Sequence, residues 1–128
     1  MTIAGMNHFT VLSSDLERSK AFYIDILGLT EGYRPPFAFP GAWLYVGGQA
    51  ILHIMAGKPM PANAAGVIDH MAFTASNLQS VVDTLKRQGI PYELHRLKGL
   101  EIWQLFCYDP DGAKVELDFA ASEPAPGE

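Results

Sequence analysis

The stretch VIDHMAFTASNL, Val67 to Leu78, repeats the pattern of GMNHFTVLSSDL, Gly5 to Leu16. His70 falls on His8, Asp69 on Asn7, Ser76 on Ser14 and Leu78 on Leu16, at an offset of 62 positions in a chain of 128 residues. Each copy reads as a polar residue, a histidine, an alternating half-apolar run, a helix cap and a helix. Repetition over half the chain predicts two similar structural units and directs attention to a site built from both.

Outward from these two stretches, the same element order follows twice. In the first copy, Met6 to Leu12 alternates as a strand, with His8, Thr10 and Leu12 on one face. Ser14 and Glu17 have capping-box spacing, Asp15 adds negative charge at the helix start, and Gly28 is a left-handed stop. Thr30 to Arg34 reads as a short strand, broken by Pro35, Pro36 and Pro40 into a loop bearing Phe37 and Phe39. Gly47-Gly48 between two apolar runs predicts a hairpin.

AGKPMPANAAG, Ala56 to Gly66, has no periodicity and reads as a linker. Beyond it, Val67 to Ala75 predicts a strand containing His70. Ser76 or Asn77 caps a helix with Leu78, Val81, Val82 and Leu85 at i, i+3, i+4 and i+7, ending at Gly89. Strands then span Pro91 to Leu97, Ile102 to Tyr108 and Ala113 to Phe119, the last two joined by the Asp109-Pro110-Asp111-Gly112 turn. The expected architecture is α+β: two βαβββ modules, 1–56 and 67–120, forming an open, cupped eight-stranded mixed sheet cleft. Residues 57–66 are the linker, and the polar, Pro-rich tail 121–128 is expected to fray.

Composition excludes several roles. A net charge of −5 with nine scattered Lys and Arg residues argues against nucleic-acid binding. No apolar run reaches membrane-span length, and the first residues show no leader pattern. The single Cys107 offers no internal disulfide and reads as packing. The expectation is a cytoplasmic protein with a small-molecule substrate, no nucleic acid and no membrane.

Four residues carry potential metal chemistry: His8, His53, His70 and Glu116. Two histidines at matched positions plus a carboxylate on another strand make a facial triad, His8, His70 and Glu116, with positions left for substrate. Imidazole and carboxylate suit Fe(II), Mn(II), Zn(II), Ni(II) or Co(II). His53 can act in proton transfer or as a further ligand. Of the aromatic residues Tyr33, Phe37, Phe39, Trp43, Tyr45, Trp103 and Phe106, the substrate-contact candidates are Phe37, Phe39, Trp43, Trp103 and Phe106, with Phe37 and Phe39 as lid residues. His95 reads as a surface histidine. No arginine cluster or glycine-rich loop suggests a phosphate handle.

MNHFTVLSSDLERSKAFYIDILGL, IDHMAFTASNL and YDPDGAKVELDF together resemble the vicinal oxygen chelate superfamily, the glyoxalase, bleomycin-resistance and extradiol-dioxygenase group. The resemblance covers all but the tail. It implies paired βαβββ modules, metal binding by His8, His70 and Glu116, and a homodimer. His53 stands where the glyoxalase I branch carries a ligand carboxylate. HIMAG before the linker is similar to the second-sphere histidine of the dioxygenase branch, whereas Phe106 stands where that branch often has tyrosine. The resulting expectation is an extradiol-dioxygenase-like oxidoreductase acting on a small aromatic diol, with Fe(II) or Mn(II). The alternatives are a glyoxalase-type lyase or isomerase acting on a hemithioacetal with Zn, Ni or Co, and a metal-free drug-binding module.

Overall fold

The computed structural model describes residues 2–127. The chain divides between Ala62 and Asn63, inside the expected linker, into two compact units. Each unit is one βαβββ module with an open four-stranded mixed sheet, so the α+β class expected from the repeat is the class observed.

The first unit contains β1 (Phe9–Ser13), α1 (Leu16–Ala21), a π-helical turn (Phe22–Ile26), β2 (Thr30–Gly32), β3 (Gly41–Val46) and β4 (Gln49–Ala56). Its sheet order is β1-β4-β3-β2, with β1 parallel to β4 and the remaining pairs antiparallel. Side chains alternate across a strand, so one face takes Val11, Ala42, Leu44, Leu52 and Ile54, all buried. Helix α1 packs on β3 and β4, and Phe22 and Tyr23 of the turn that continues it are buried as well. The opposite face carries Thr10, Trp43 and His53, which are Cα partners in one row across the sheet.

Three local expectations change. The α1 cap is Asp15 rather than Ser14: the Asp15 carboxylate accepts from the Arg18 amide at 3.2 Å. Strand β1 begins at Phe9 rather than Met6, because its ladder with β4 opens at the Phe9–Leu52 pair; His8 therefore precedes the strand. Strand β2 stops at Gly32, before the prolines. The hairpin holds as expected, with Gly47 and Gly48 at φ +56° and +82°, the left-handed pair that a tight hairpin turn requires.

The second unit contains β5 (Met71–Ala75), α2 (Leu78–Gln88), β6 (Glu93–Arg96), β7 (Trp103–Tyr108) and β8 (Lys114–Phe119). Its order, β5-β8-β7-β6 with β5 parallel to β8, repeats the first unit. Leu78, Val82 and Leu85 of α2 are buried, as are Leu105, Cys107, Val115, Leu117 and Phe119 of the sheet. The β7–β8 turn is fixed by Asp109, whose Oδ1 accepts from the Asp111 and Ala113 amides at 2.9 Å each. Strand β5 begins at Met71, not Val67, so His70 precedes its strand just as His8 does.

The α2 N-terminus departs most from the expected pattern. Asn77 is the cap residue, in left-handed geometry at φ +65°, but its own side chain caps nothing. The Glu123 carboxylate accepts from the Asn77 amide at 3.1 Å and the Leu78 amide at 2.7 Å. The Glu123 carbonyl also accepts from the Trp103 indole at 2.8 Å, and the Gly127 amide donates to Gln79 at 2.7 Å. The described part of the tail, expected to fray, is instead tied to α2 and β7 because the helix start needs an external acceptor. Replacing Glu123 by Ala is expected to cost about 1 kcal/mol, the usual size of a lost cap, read as a lower urea midpoint at unchanged slope.

Candidate functional site

In the second unit, the face opposite α2 gathers the polar chemistry. Glu116 is the Cα partner of both Ala72 and Phe106, and Asp118 that of both Thr74 and Gln104. Glu116 is only 6% exposed. Its Oε1 lies 3.0 Å from His70 Nε2, and its Oε2 accepts from Gln104 Nε2 at 3.1 Å. The other His70 nitrogen, Nδ1, lies 2.8 Å from Asp69 Oδ2. Lys114 Nζ lies 3.6 Å from the same Asp69 oxygen, and the Lys114 ammonium also sits 5.0 Å over the Phe106 ring. Phe106 meets His70 edge-on at 6.0 Å.

The Asp69 contact has a chemical consequence. An acceptor at Nδ1 selects the tautomer protonated there and leaves Nε2 as the coordinating nitrogen. The first unit repeats the device: His8 Nδ1 lies 2.6 Å from Asn7 Oδ1. The polar residue before each histidine in the repeat is thus its orienting partner.

The first unit differs at the position matching Glu116. Thr10 pairs with His53 as Ala72 pairs with Glu116, so His53 is the register counterpart of the carboxylate. The His53 ring is stacked between two others, 4.0 Å from Trp43 and 3.7 Å from His8, with interplanar angles of 9° and 15°. Burial, followed by the charge of His8, holds its pKa below the usual histidine value, and a backbone hydrogen bond at Ala50 opposes the shift. His53 is therefore neutral at pH 7, with a lone pair available to a proton or a cation.

Beside His53 lies a cleft of about 160 Å³, lined by Thr10, Arg34, Phe37, Phe39, Trp43, His53, Ile54 and Met55. Three of the five aromatic candidates, Phe37, Phe39 and Trp43, line it. Phe106 is on the Glu116 face of the other unit. Trp103 is not: it alternates with Gln104 onto the side of Leu105 and Cys107, and its indole is used by the tail. The substrate-contact role expected of Trp103 is withdrawn on that ground. His95 is exposed and pairs with Glu93 at 3.5 Å, as a surface histidine does.

Among the described residues, no three His, Cys, Asp or Glu side chains form a ligand group. The donors come as pairs, His8 with His53 and His70 with Glu116. The donor set suits a divalent cation: imidazole nitrogens already oriented through Nδ1, and a buried carboxylate with one oxygen directed at an imidazole nitrogen.

Sequence reasoning missed the supporting residues. Gln104 and Asp118 fall on the Glu116 face by simple alternation, a signal available once the strand register is known. Arg34 carried no signal, because nothing in its neighbourhood marks it as facing a cleft.

Two βαβββ modules, each opening with an oriented histidine, define a paired-module α+β protein. The chain belongs to the Glyoxalase/Bleomycin resistance protein/Dioxygenase superfamily, whose family model matches residues 5–117. It is 31% identical over 122 residues to the Arabidopsis thaliana protein Glyoxylase I 4, covering 90% of this chain and 70% of that one. A glyoxalase family protein from Enterococcus faecalis superposes with a TM-score of 0.69 at 28% identity, over 92% of this chain and 99% of that one. The fosfomycin resistance protein FosX of Listeria monocytogenes, complexed with Mn(II) and 1S,2S-dihydroxypropylphosphonic acid, shares the fold. Its TM-score is 0.75 at 21% identity, over 93% and 94% of the two chains. Among the described residues, no helix is long and apolar enough to cross a membrane.

Asp118 supplies a pH test of this face. Its Oδ1 is buried without a partner, and its pKa is pushed up to about 6, first by burial and then by the hydrogen bond and charge of Glu116. Folding raises this pKa from 3.8, so the carboxyl's contribution to stability is present below about pH 4 and is lost as the pH rises through about 6. Asp118→Asn keeps a donor for Glu116 but cannot ionise. In EDTA it is expected to have a higher urea midpoint than wild type near pH 8 and no advantage near pH 4. Equal differences at both values exclude the assignment.

Proposed function

We propose that this chain is a divalent-metal-dependent enzyme in which His8, His70 and Glu116 hold the cation and His53 carries a proton. His8 meets the His70–Glu116 pair within one chain or across two copies of it in a homodimer, and the substrate is a small molecule bound through neighbouring oxygens. The observation that carries this reading is the oriented pair: His70 Nε2 is 3.0 Å from Glu116 Oε1, with Asp69 holding the opposite nitrogen.

When bound, a divalent cation supplies Lewis-acid stabilisation of negative charge on substrate oxygen. The chain's own residues supply the rest. Asp69 and Asn7 keep the two imidazoles turned with Nε2 outward. Gln104 anchors the second oxygen of Glu116, so that Oε1 alone stays directed at His70. His53, partly buried between two rings and held neutral by that burial and by the charge of His8, accepts a proton from the substrate carbon beside the oxygens and returns it to the neighbouring atom. Trp43, Phe37 and Phe39 keep water from that transfer.

Proton transfer of this kind is isomerase or lyase chemistry of the glyoxalase type, and the 31% identity to Glyoxylase I 4 supports it. Cleavage of a small aromatic diol is the second reading, with Fe(II) or Mn(II). It is favoured by the flat rings that flank His53 and disfavoured by Phe106, which offers no hydroxyl near His70.

Metal analysis of chain loaded separately with Mn(II), Fe(II), Zn(II), Ni(II) and Co(II) is the direct test. Retention near one equivalent is expected, with loss in His70→Ala and Glu116→Gln. Because imidazole and carboxylate hold a cation only in their deprotonated forms, affinity should also rise with pH. Retention unchanged in both variants, or no retention by wild type, leaves the metal-free binding module ahead. In the loaded chain, His53→Gln is expected to lower kcat about 10²–10⁴-fold with KM little changed. Anaerobic turnover of a hemithioacetal identifies the first reaction class, and oxygen uptake with a catechol panel the second.

A further inference from the structure

Among the described residues Arg34 is the one charged group that lines the cleft beside His53, with the Lys58 ammonium 4.7 Å from the centre of the Phe39 ring, and metal binding and proton transfer give Arg34 no part. Its guanidinium carbon lies 5.0 Å from the ring centres of both Phe37 and Phe39, which stack on each other at 5.4 Å. Nη2 donates to the Phe39 carbonyl at 2.8 Å. Among the described residues, no carboxylate lies within ion-pair distance of it. The backbone leaves room for it: a Cβ at Gly41 would lie 2.9 Å from Nη2 and 2.3 Å from the Ile54 carbonyl oxygen.

A half-buried cation on an apolar wall, with five N–H donors and one protein acceptor among the described residues, is an anion receptor in waiting. The cleft volume, about 160 Å³, is below the roughly 300–1,000 Å³ of ordinary ligand pockets and admits little more than a single ring with a short substituent. Trp43 and Phe37, 6.2 Å apart and tilted by 45°, line it together with Phe39 and give it an apolar surface. We infer that this cleft takes the anionic end of the substrate: a carboxylate attached to a flat ring, paired with the Arg34 fork while the ring lies among Trp43, Phe37 and Phe39. Arg34 is thereby the specificity-determining residue that selects acids over their neutral counterparts. The inference rests on the preceding reading only in taking the cleft beside His53 as the substrate's place.

The test compares benzoate with benzamide, which matches it in shape and lacks the charge. Both are titrated into the full chain in EDTA, so that no cation contributes to the preference. Calorimetry on wild type needs no substitution. Emission of Trp43 in a Trp103→Phe background reports the same event at the cleft. Benzoate is expected to bind saturably and at least about tenfold more tightly than benzamide, the scale of a charge-assisted hydrogen bond. The preference should weaken with added salt, vanish in Arg34→Gln and persist in part in Arg34→Lys. Equal affinity for acid and amide, no saturable binding of either, or a preference that survives in Arg34→Gln overturns the inference. Failure of metal retention, measured separately, bears on the enzymatic reading and leaves this result standing.

Discussion

An imidazole is a dependable ligand or base only if one of its nitrogens is committed elsewhere. In this chain the commitment comes from the residue before: Asn7 for His8 and Asp69 for His70, at 2.6 and 2.8 Å. Both histidines stand one residue outside their strands, where no ladder hydrogen bond fixes the backbone. The side-chain contact therefore does the orienting that the sheet does not. The rest of each module serves this arrangement. A parallel β1–β4 or β5–β8 pair brings the last strand alongside, and alternation turns His53 or Glu116 to the same face as the histidine.

Packing keeps that face available. On the other side of each sheet, helix and strands bury an apolar layer, with Leu44, Leu52 and Ile54 in the first unit and, separately, Leu105, Val115 and Leu117 in the second. Glu116 is buried without belonging to that layer, and Gln104 and His70 satisfy its oxygens. Asp118, one pleat further along β8, receives no such treatment on Oδ1 and gains a raised pKa instead. Two carboxylates on one strand face thus have different fates, decided by which donors their neighbours present.

Much of this was legible in the residues. The offset repeat, the Gly47-Gly48 and Asp109–Gly112 turns and the glycine stops gave the module order, because each acts through local chemistry that a short window contains. The histidines and Glu116 stood out for the same reason. What escaped was whatever depends on residues far apart in sequence. Glu123 caps a helix 45 positions earlier, and no window around Asn77 announces it. Trp103 looked like a pocket aromatic until the register put it on the covered side of β7. Arg34 had no partner in sequence, and its setting against two stacked phenylalanines depends on how the proline-broken loop folds back.

The match between His53 and Glu116 carries an electrostatic corollary. Two copies of one scaffold have placed an imidazole and a carboxylate at the same register position, so the two halves contribute unequal charge. A divalent ion held by imidazoles and that single carboxylate, as proposed, would keep one positive charge beyond what its own ligands cancel. With carboxylates at both positions that charge would be neutralised. The surplus favours whichever partner arrives already ionised, and it lowers the cost of ionising one that does not.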